Sequence, residues 1–289
     1  MSIEIVPSGA PLGAEIKGVD IASGVSAADF QAVRDALHAH QVVVIRDQHI
    51  SDDEHIAFCS GFGSLDPHIL PQYLVPGYQQ LVRISNILDE AGKPIGMIDA
   101  GRVWHSDGQF QERPNMYSML RALEVPADDD GNPLGDTLFV STAVAYERLS
   151  PDMKERIAGL KAVNSLAAVY EMLKRGGHAA KRDPLTEAQK REVVHPLVRT
   201  HPITGRKGLY VSQAATLRIL GLPEDESRAL IDELSESCLG EDMVYRHRWR
   251  VGDLLMWDNC LSQHFAVGDY ALPQRRLMHR TTVGGTVPF

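Results

Sequence analysis

The apolar runs of this chain are short, and Gly or Pro interrupts almost every one. With 24 glycines and 16 prolines spread over 289 residues, long helices have little room, and short strands joined by turns become the default. Gln41-Val42-Val43-Val44-Ile45-Arg46 is β-branched and too short for a helix, so it reads as a buried strand. Residues 81–86, 117–123, 135–140, 195–200, 209–211, 244–250, 254–257 and 277–283 carry similar strand signals. Helices start where caps allow. Ser26-Ala27-Ala28-Asp29 precedes Phe30, Val33 and Leu37 at helical spacing, and Ser51-Asp52-Asp53-Glu54 opens a second helix that Gly61-Phe62-Gly63 stops. Ser150-Pro151 opens a third with Pro at its first position, and Leu230, Ile231 and Leu234 line one face of residues 223–239. Many short strands with helices grouped in blocks argue for a mainly β, mixed α+β fold. The expected core is a double-stranded β-helix (jelly roll) decorated by helices. One domain is expected over 1–289, with a polar, partly helical insertion at 160–192. Gly92, Pro94, Gly96 and Gly101 mark 92–102 as a candidate lid.

Charge and cysteine content exclude several function classes. No Lys/Arg run stands out against a net charge of −9, so neither nucleic acid nor an anionic membrane is an expected partner. No stretch approaches the roughly 20 apolar residues that span a bilayer. Three cysteines, Cys59, Cys238 and Cys260, lack C-x-x-C spacing and are odd in number, which suits a reducing cytoplasm better than a disulfide framework. Residues 1–7 hold no basic segment ahead of an apolar run, so no signal peptide is expected.

Chemistry concentrates at His105-Ser106-Asp107. On an extended strand, side chains two residues apart share a face, so one imidazole and one carboxylate converge on a point. His264, in Trp257-Asp258-Asn259-Cys260-Leu261-Ser262-Gln263-His264, offers a third ligand. Two His and one carboxylate on one side of a metal form the facial triad of non-haem Fe(II) oxygenases. The same triad could hold zinc for hydrolysis, and a short His-x-Asp motif also recurs by chance. The last strand carries a second signal. In Arg275-Arg276-Leu277-Met278-His279-Arg280, alternation puts Arg276, Met278 and Arg280 on one face and Arg275, Leu277 and His279 on the other. Arg276 and Arg280 would stand about 13 Å apart at Cα, far enough to hold two separate anions. The competing reading is an exposed basic edge strand.

Taken in order, Trp104-His105-Ser106-Asp107, Gly135-Asp136-Thr137, His195-Pro196-Leu197-Val198-Arg199-Thr200-His201-Pro202, Trp257-Asp258-Asn259, Gln263-His264 and Arg275 to Arg280 resemble one family. It is the taurine dioxygenase family of Fe(II)/2-oxoglutarate-dependent oxygenases, which includes the phenoxyacetate-herbicide dioxygenases. The resemblance implies Fe(II) on His105, Asp107 and His264. It implies 2-oxoglutarate on Arg276 with help from Thr137, O₂ as the other cosubstrate, and release of succinate and CO₂ as a substrate C–H bond is hydroxylated. Arg280 takes the place of a residue that meets an anionic group on the primary substrate, so a small sulfonate, carboxylate or aryloxyalkanoate is expected. Taurine itself fits less well. Gly101 stands where taurine dioxygenases carry Asn, and Ser212-Gln213-Ala214-Ala215-Thr216 lacks the aromatic residue that would close a taurine pocket. Gly101 and Ala215 suggest a roomier cavity, with His68, Tyr73, Asn86 and Tyr170 as further lining candidates. Taurine dioxygenase proper, a zinc hydrolase and a non-catalytic organic-acid-binding protein are the alternatives; the last two leave Thr137 and Arg276 together without a role. A homo-oligomer is expected. Trp104 and Trp257 are expected to pack the sheet, His195 and His201 to be structural, and Asp258 and Asn259 to organise the turn before His264. Cys260 has no recognisable partner.

Overall fold

The structure, a computed structural model, describes residues 3–67, 71–98, 100–177 and 185–289. The chain opens with a hairpin of β1 (Glu4–Pro7) and β2 (Ala14–Lys17). Helix α1 (Ala27–His40) starts where the Ser26 hydroxyl accepts the Asp29 N–H, buries Val33, Ala36 and Leu37, and ends at Gln41 with φ 63°. Strand β3 (Val42–Ile45) follows at once. Helix α2 (Asp52–Ser60) begins with a reciprocal capping box between Ser51 and Glu54. Next come β4 (Val82–Ser85), β5 (Tyr117–Glu124) and β6 (Thr137–Ser141), then the short helices α3 (Thr142–Arg148) and α4 (Pro151–Ile157). The middle of the chain holds β7 (Lys161–Asn164), α5 (Leu166–Arg175), β8 (Val193–Pro196), β9 (Val198–Thr200), β10 (Lys207–Leu209) and β11 (Thr216–Ile219). It closes with α6 (Glu224–Glu236), β12 (Val244–His247), β13 (Leu254–Asp258), β14 (Ser262–Ala266) and β15 (Leu277–Val283).

Seven strands form the main sheet in the order β1-β2-β3-β13-β5-β15-β4. Strand alternation sorts its side chains into two cores. Val43, Ile45, Leu254 and Met256 face α1 and α2, where they meet Leu37, Phe58 and Cys59. Val42, Val44, Leu255 and Trp257 face the other way and join Phe139, Trp249 and Met278. Phe139 comes from β6, the centre of a three-stranded sheet in the order β12-β6-β14. Its ring lies 5.7 Å from that of Trp257, so the small sheet covers the second face of the large one. Val140, next along β6, points into a third core with Leu230, Ile231 and Leu234 of α6. The candidate residues lie between the two sheets: β6 and β14 carry Thr137 and His264, and β15 carries Arg280.

Three expectations are corrected. The 160–192 segment is not wholly an insertion, because Lys161–Asn164 is the middle strand of a further sheet, β11-β7-β8. Its apolar signal is two residues, Ala162 and Val163, too few to read without the flanking strands. In the candidate lid at 92–102, Met97 extends the edge of β4, with Met97 N bonding Arg83 O and Ser85 N bonding Met97 O, so that part is pinned to the sheet. His105 and Asp107 do not lie on a strand. His105 makes a single bridge with His264, and Asp107 begins a turn.

Candidate active site

The convergence expected from strand alternation is achieved by that bridge. His105 N donates to His264 O at 3.2 Å and His264 N to His105 O at 2.9 Å, so the two imidazoles share one side with ring centroids 4.1 Å apart. The Ser106 hydroxyl donates to Ser262 O at 2.7 Å and ties the segment to β14. Gly108, with φ +74°, then turns the chain so that Asp107 folds back toward both rings. Ligand atoms of His105, Asp107 and His264 all lie within 4.8 Å of one another.

Protonation suits a cation. His105 Nδ1 lies 2.8 Å from Val103 O, which places its proton there and leaves the Nε2 lone pair aimed at Asp107 Oδ1, 3.6 Å away. Burial, with His105 beside it, pushes the His264 pKa down to about 3, so this ring is neutral at working pH. Burial alone would raise the Asp107 carboxyl. The Arg280 guanidinium instead holds it well below the usual carboxylate range. Two imidazoles and one carboxylate fit a divalent metal with open positions.

Asp107 is itself held. Its Oδ2 accepts the Ser118 hydroxyl at 2.6 Å, and Ser118 Oγ accepts Asn259 Nδ2 at 3.0 Å. Asn259 Oδ1 closes the loop by accepting Asp107 N at 3.2 Å and Trp257 Nε1 at 3.0 Å. Oδ2 is thereby occupied, and Oδ1 faces His105 and Arg280. Sequence reading assigned Asn259 to the turn and missed Ser118, a buried serine with no motif around it.

The last strand holds a second buried cation. Arg276 is 4% exposed; its guanidinium carbon sits 5.8 Å from the Trp249 ring and 5.9 Å from the Tyr270 ring, and its Nε has no hydrogen-bond partner among the described residues. The Thr137 hydroxyl accepts Trp249 Nε1 at 3.0 Å, which leaves its own proton to donate. The strand face follows the alternation argument. Arg275 points outward to an exposed ion pair with Glu124, His279 pairs with Asp52 of α2 at 2.8 Å, and Arg280 Nη1 lies 3.4 Å from Asp107 Oδ1.

The other candidates divide. Asn86, expected to line the cavity, instead clamps the backbone: its Oδ1 accepts Arg276 N and its Nδ2 donates to Gln274 O, both at 2.8 Å. Gly101, expected to open space, lies against the site. A Cβ there would meet His105 Cε1 and Ala266 Cβ at 3.3 Å, and its φ of +77° favours glycine. Ala215 is buried, with its backbone bonded to Ser165 and Ser212. Tyr73 packs at the edge of the core around Trp257. Tyr170 lies on α5, whose Val169, Met172 and Leu173 pack with Ala214 and with Val103, two residues before His105. His68 lies outside the described residues. Trp104 packs on Phe265 with centroids 5.7 Å apart, and the His195 Nε2 faces Gln111 O.

His201, Asp258 and Cys260 also cluster like metal ligands, fully buried. The His201 Nδ1 accepts the Ile203 and Thr204 N–H groups, so its proton sits on Nε2, 3.1 Å from Asp258 Oδ2. That ring has no lone pair left for a cation, and the cluster is a structural ion–dipole contact.

The chain matches the family described as taurine catabolism dioxygenase TauD, TfdA family over residues 4–282. It is 33% identical to an alpha-ketoglutarate-dependent 2,4-dichlorophenoxyacetate dioxygenase of Cupriavidus pinatubonensis, with 98% of each chain covered. Its fold is similar to a taurine dioxygenase from Burkholderia xenovorans (TM-score 0.81, 30% identity, all of this chain and 91% of that one). It is also similar to AAD-2 in complex with Mn(II) and N-oxalylglycine (TM-score 0.79, 30% identity, all of this chain and 99% of that one).

Proposed function

The chain belongs to the taurine catabolism dioxygenase TauD, TfdA family, and from that premise we propose that it is an Fe(II)- and 2-oxoglutarate-dependent dioxygenase hydroxylating a small anionic organic substrate. The observation that carries this reading is the placing of the His105, Asp107 and His264 ligand atoms within 4.8 Å of one another, with the Arg280 guanidinium 3.4 Å from Asp107 and Arg276 buried on the same strand. Fe(II), 2-oxoglutarate and O₂ supply the oxidising chemistry, in which decarboxylation to succinate and CO₂ is coupled to hydroxylation of a C–H bond.

The protein's part is binding and orientation. His105 offers Nε2 because Val103 holds the proton on Nδ1. Asp107 offers Oδ1 because Ser118 occupies Oδ2. Arg276 binds the distal carboxylate of 2-oxoglutarate in a pocket walled by Trp249, where a desolvated charge pair is strong. The Thr137 hydroxyl donates to the same carboxylate, its acceptor side being taken by Trp249. Arg280 reaches the metal face and pairs there with Asp107, so it is placed to hold an anionic group of the substrate beside the reacting C–H bond. Val103, Leu173 and Ala214 form a buried apolar cluster that reaches the chain two residues before His105. An apolar surface there suits an aryloxyalkanoate or a longer alkylsulfonate better than a substrate without an apolar body.

The same reading takes the seven-stranded and β12-β6-β14 sheets as the two walls of one jelly-roll domain. It places the protein in the cytoplasm, in keeping with three free, buried cysteines; no helix among the described residues is long and apolar enough to cross a membrane. The test is succinate release from 2-oxoglutarate by purified protein with Fe(II) and ascorbate, across taurine, longer alkylsulfonates and aryloxyalkanoates. His105→Ala and Asp107→Ala should abolish turnover with the fold intact. Full activity in either variant, or no succinate with any anion, would overturn the assignment.

A further inference from the structure

Arg276 has a cationic neighbour. Arg102, three residues before His105, is 7% exposed, and its guanidinium carbon lies 5.3 Å from the Tyr270 ring. Arg276 approaches the same ring at 5.9 Å. Tyr270 therefore sits against both guanidinium groups, and its hydroxyl is within reach of Arg276. Arg102 Nη1 donates to Ala266 O at 3.2 Å, and Ala266 is the register partner of Thr137 across β14 and β6. So Arg102 and Arg276 both approach Tyr270, and Arg102 bonds the strand residue paired with Thr137.

Two glycines allow this crowding. At Gly135, with φ +74°, a Cβ would stand 2.8 Å from Tyr270 Cε1 and 3.4 Å from Arg276 Nε. At Gly268 a Cβ would collide with the Arg102 guanidinium. The local carboxylates are turned elsewhere: Asp136 pairs with Arg246 at 3.0 Å, and Asp269 accepts the Gly135 N–H at 2.7 Å. Among the described residues neither Arg102 nor Arg276 is in an ion pair. Two like charges held near each other out of water are unfavourable unless an anion joins them.

We propose that the distal-carboxylate subsite is a two-cation site, in which Arg102, steered by Tyr270, joins Arg276 and makes the pocket selective for 2-oxo dicarboxylic acids. The proposal rests on the reading of Arg276 as the 2-oxoglutarate anchor. Arg102 is a specificity residue here, because it touches the carboxylate remote from the reacting carbons. A 2-oxo acid without that carboxylate gains nothing from it.

The experiment is calorimetric titration of Mn(II)-loaded protein with 2-oxoglutarate and, separately, with 2-oxobutyrate, which has the same 2-oxo acid head and no distal carboxylate. Arg102→Gln should weaken 2-oxoglutarate binding by about tenfold or more while leaving 2-oxobutyrate within about twofold. Arg102→Lys, which keeps the charge, should recover part of the loss. Unchanged 2-oxoglutarate affinity, or equal loss for both acids, would overturn the two-cation site while leaving the functional reading standing. Wild-type protein that binds no 2-oxoglutarate would overturn the functional reading and this proposal with it.

Discussion

Replacing Ser118 by alanine should loosen metal binding without unfolding the protein. The Ser118 hydroxyl donates to Asp107 Oδ2 at 2.6 Å, a short bond to an ionised acceptor. Hydrogen bonds to charged groups contribute about 1.5–3 kcal/mol, so the loss corresponds to roughly 10- to 100-fold in metal affinity. That range agrees with the roughly 10- to 100-fold usually lost when a partner behind a metal ligand is removed. Ser118 also accepts Asn259 Nδ2 at 3.0 Å, so the variant leaves that amide short of a partner and lowers stability as well. The two effects are separated by measuring Mn(II) affinity by calorimetry and melting temperature independently. Ser85→Ala is the control. Ser85 is equally buried in the same sheet, but its hydroxyl holds Arg276 O, away from the triad. Ser85→Ala should therefore lose stability with unchanged metal affinity. If Ser118→Ala binds Mn(II) as tightly as wild type, Asp107 does not depend on Ser118 for its orientation and the argument is wrong.

Arg276→Ala should raise the 2-oxoglutarate requirement by about 2–5 kcal/mol, or at least thirtyfold, read from succinate release against cosubstrate concentration; a larger loss in Arg275→Ala would mean that the strand faces are reversed. Arg280→Ala should cut turnover that depends on the anionic substrate while sparing slow uncoupled decarboxylation, so equal loss of both would count against a substrate role. His55 is fully buried on α2, neither ring nitrogen is hydrogen-bonded among the described residues, and burial, helped by Arg121, pushes its pKa from 6.5 down to about 3. The folded state therefore refuses a proton that the unfolded chain accepts. Its contribution is complete above pH 6.5 and falls by about 1.4 kcal/mol per pH unit as the pH drops toward 3. Denaturant titrations of His55→Leu between those limits should show a shallower fall, and an unchanged slope would exonerate His55.

Most of the local structure can be read from neighbours in the chain. Ser26 and Ser51 cap helices because a hydroxyl two or three residues ahead of free N–H groups is a local arrangement. Val42–Ile45 is a strand because its β-branched residues fill both faces. Arg276 and Arg280 sort from Arg275 and His279 by period two, and the ion pairs of Arg275 and His279 lie on the opposite side as that period requires. The proposed metal ligands were legible for a weaker reason, since the motif named them while their geometry came from a bridge to β14 rather than from the strand expected. What surrounds them was not legible. Asn259 bonds Asp107 across 152 residues, Asn86 clamps Arg276 across 190, and Thr137 meets Trp249 across 112. Gly101 shows the same limit: a missing side chain reads as space in sequence, but the fold brings His105 and Ala266 into that space. Residue type and spacing carry information about one segment's conformation. Which polar atom ends up beside another, and whether a gap stays open, is decided only when sheets distant in sequence pack together and every buried donor must find a partner.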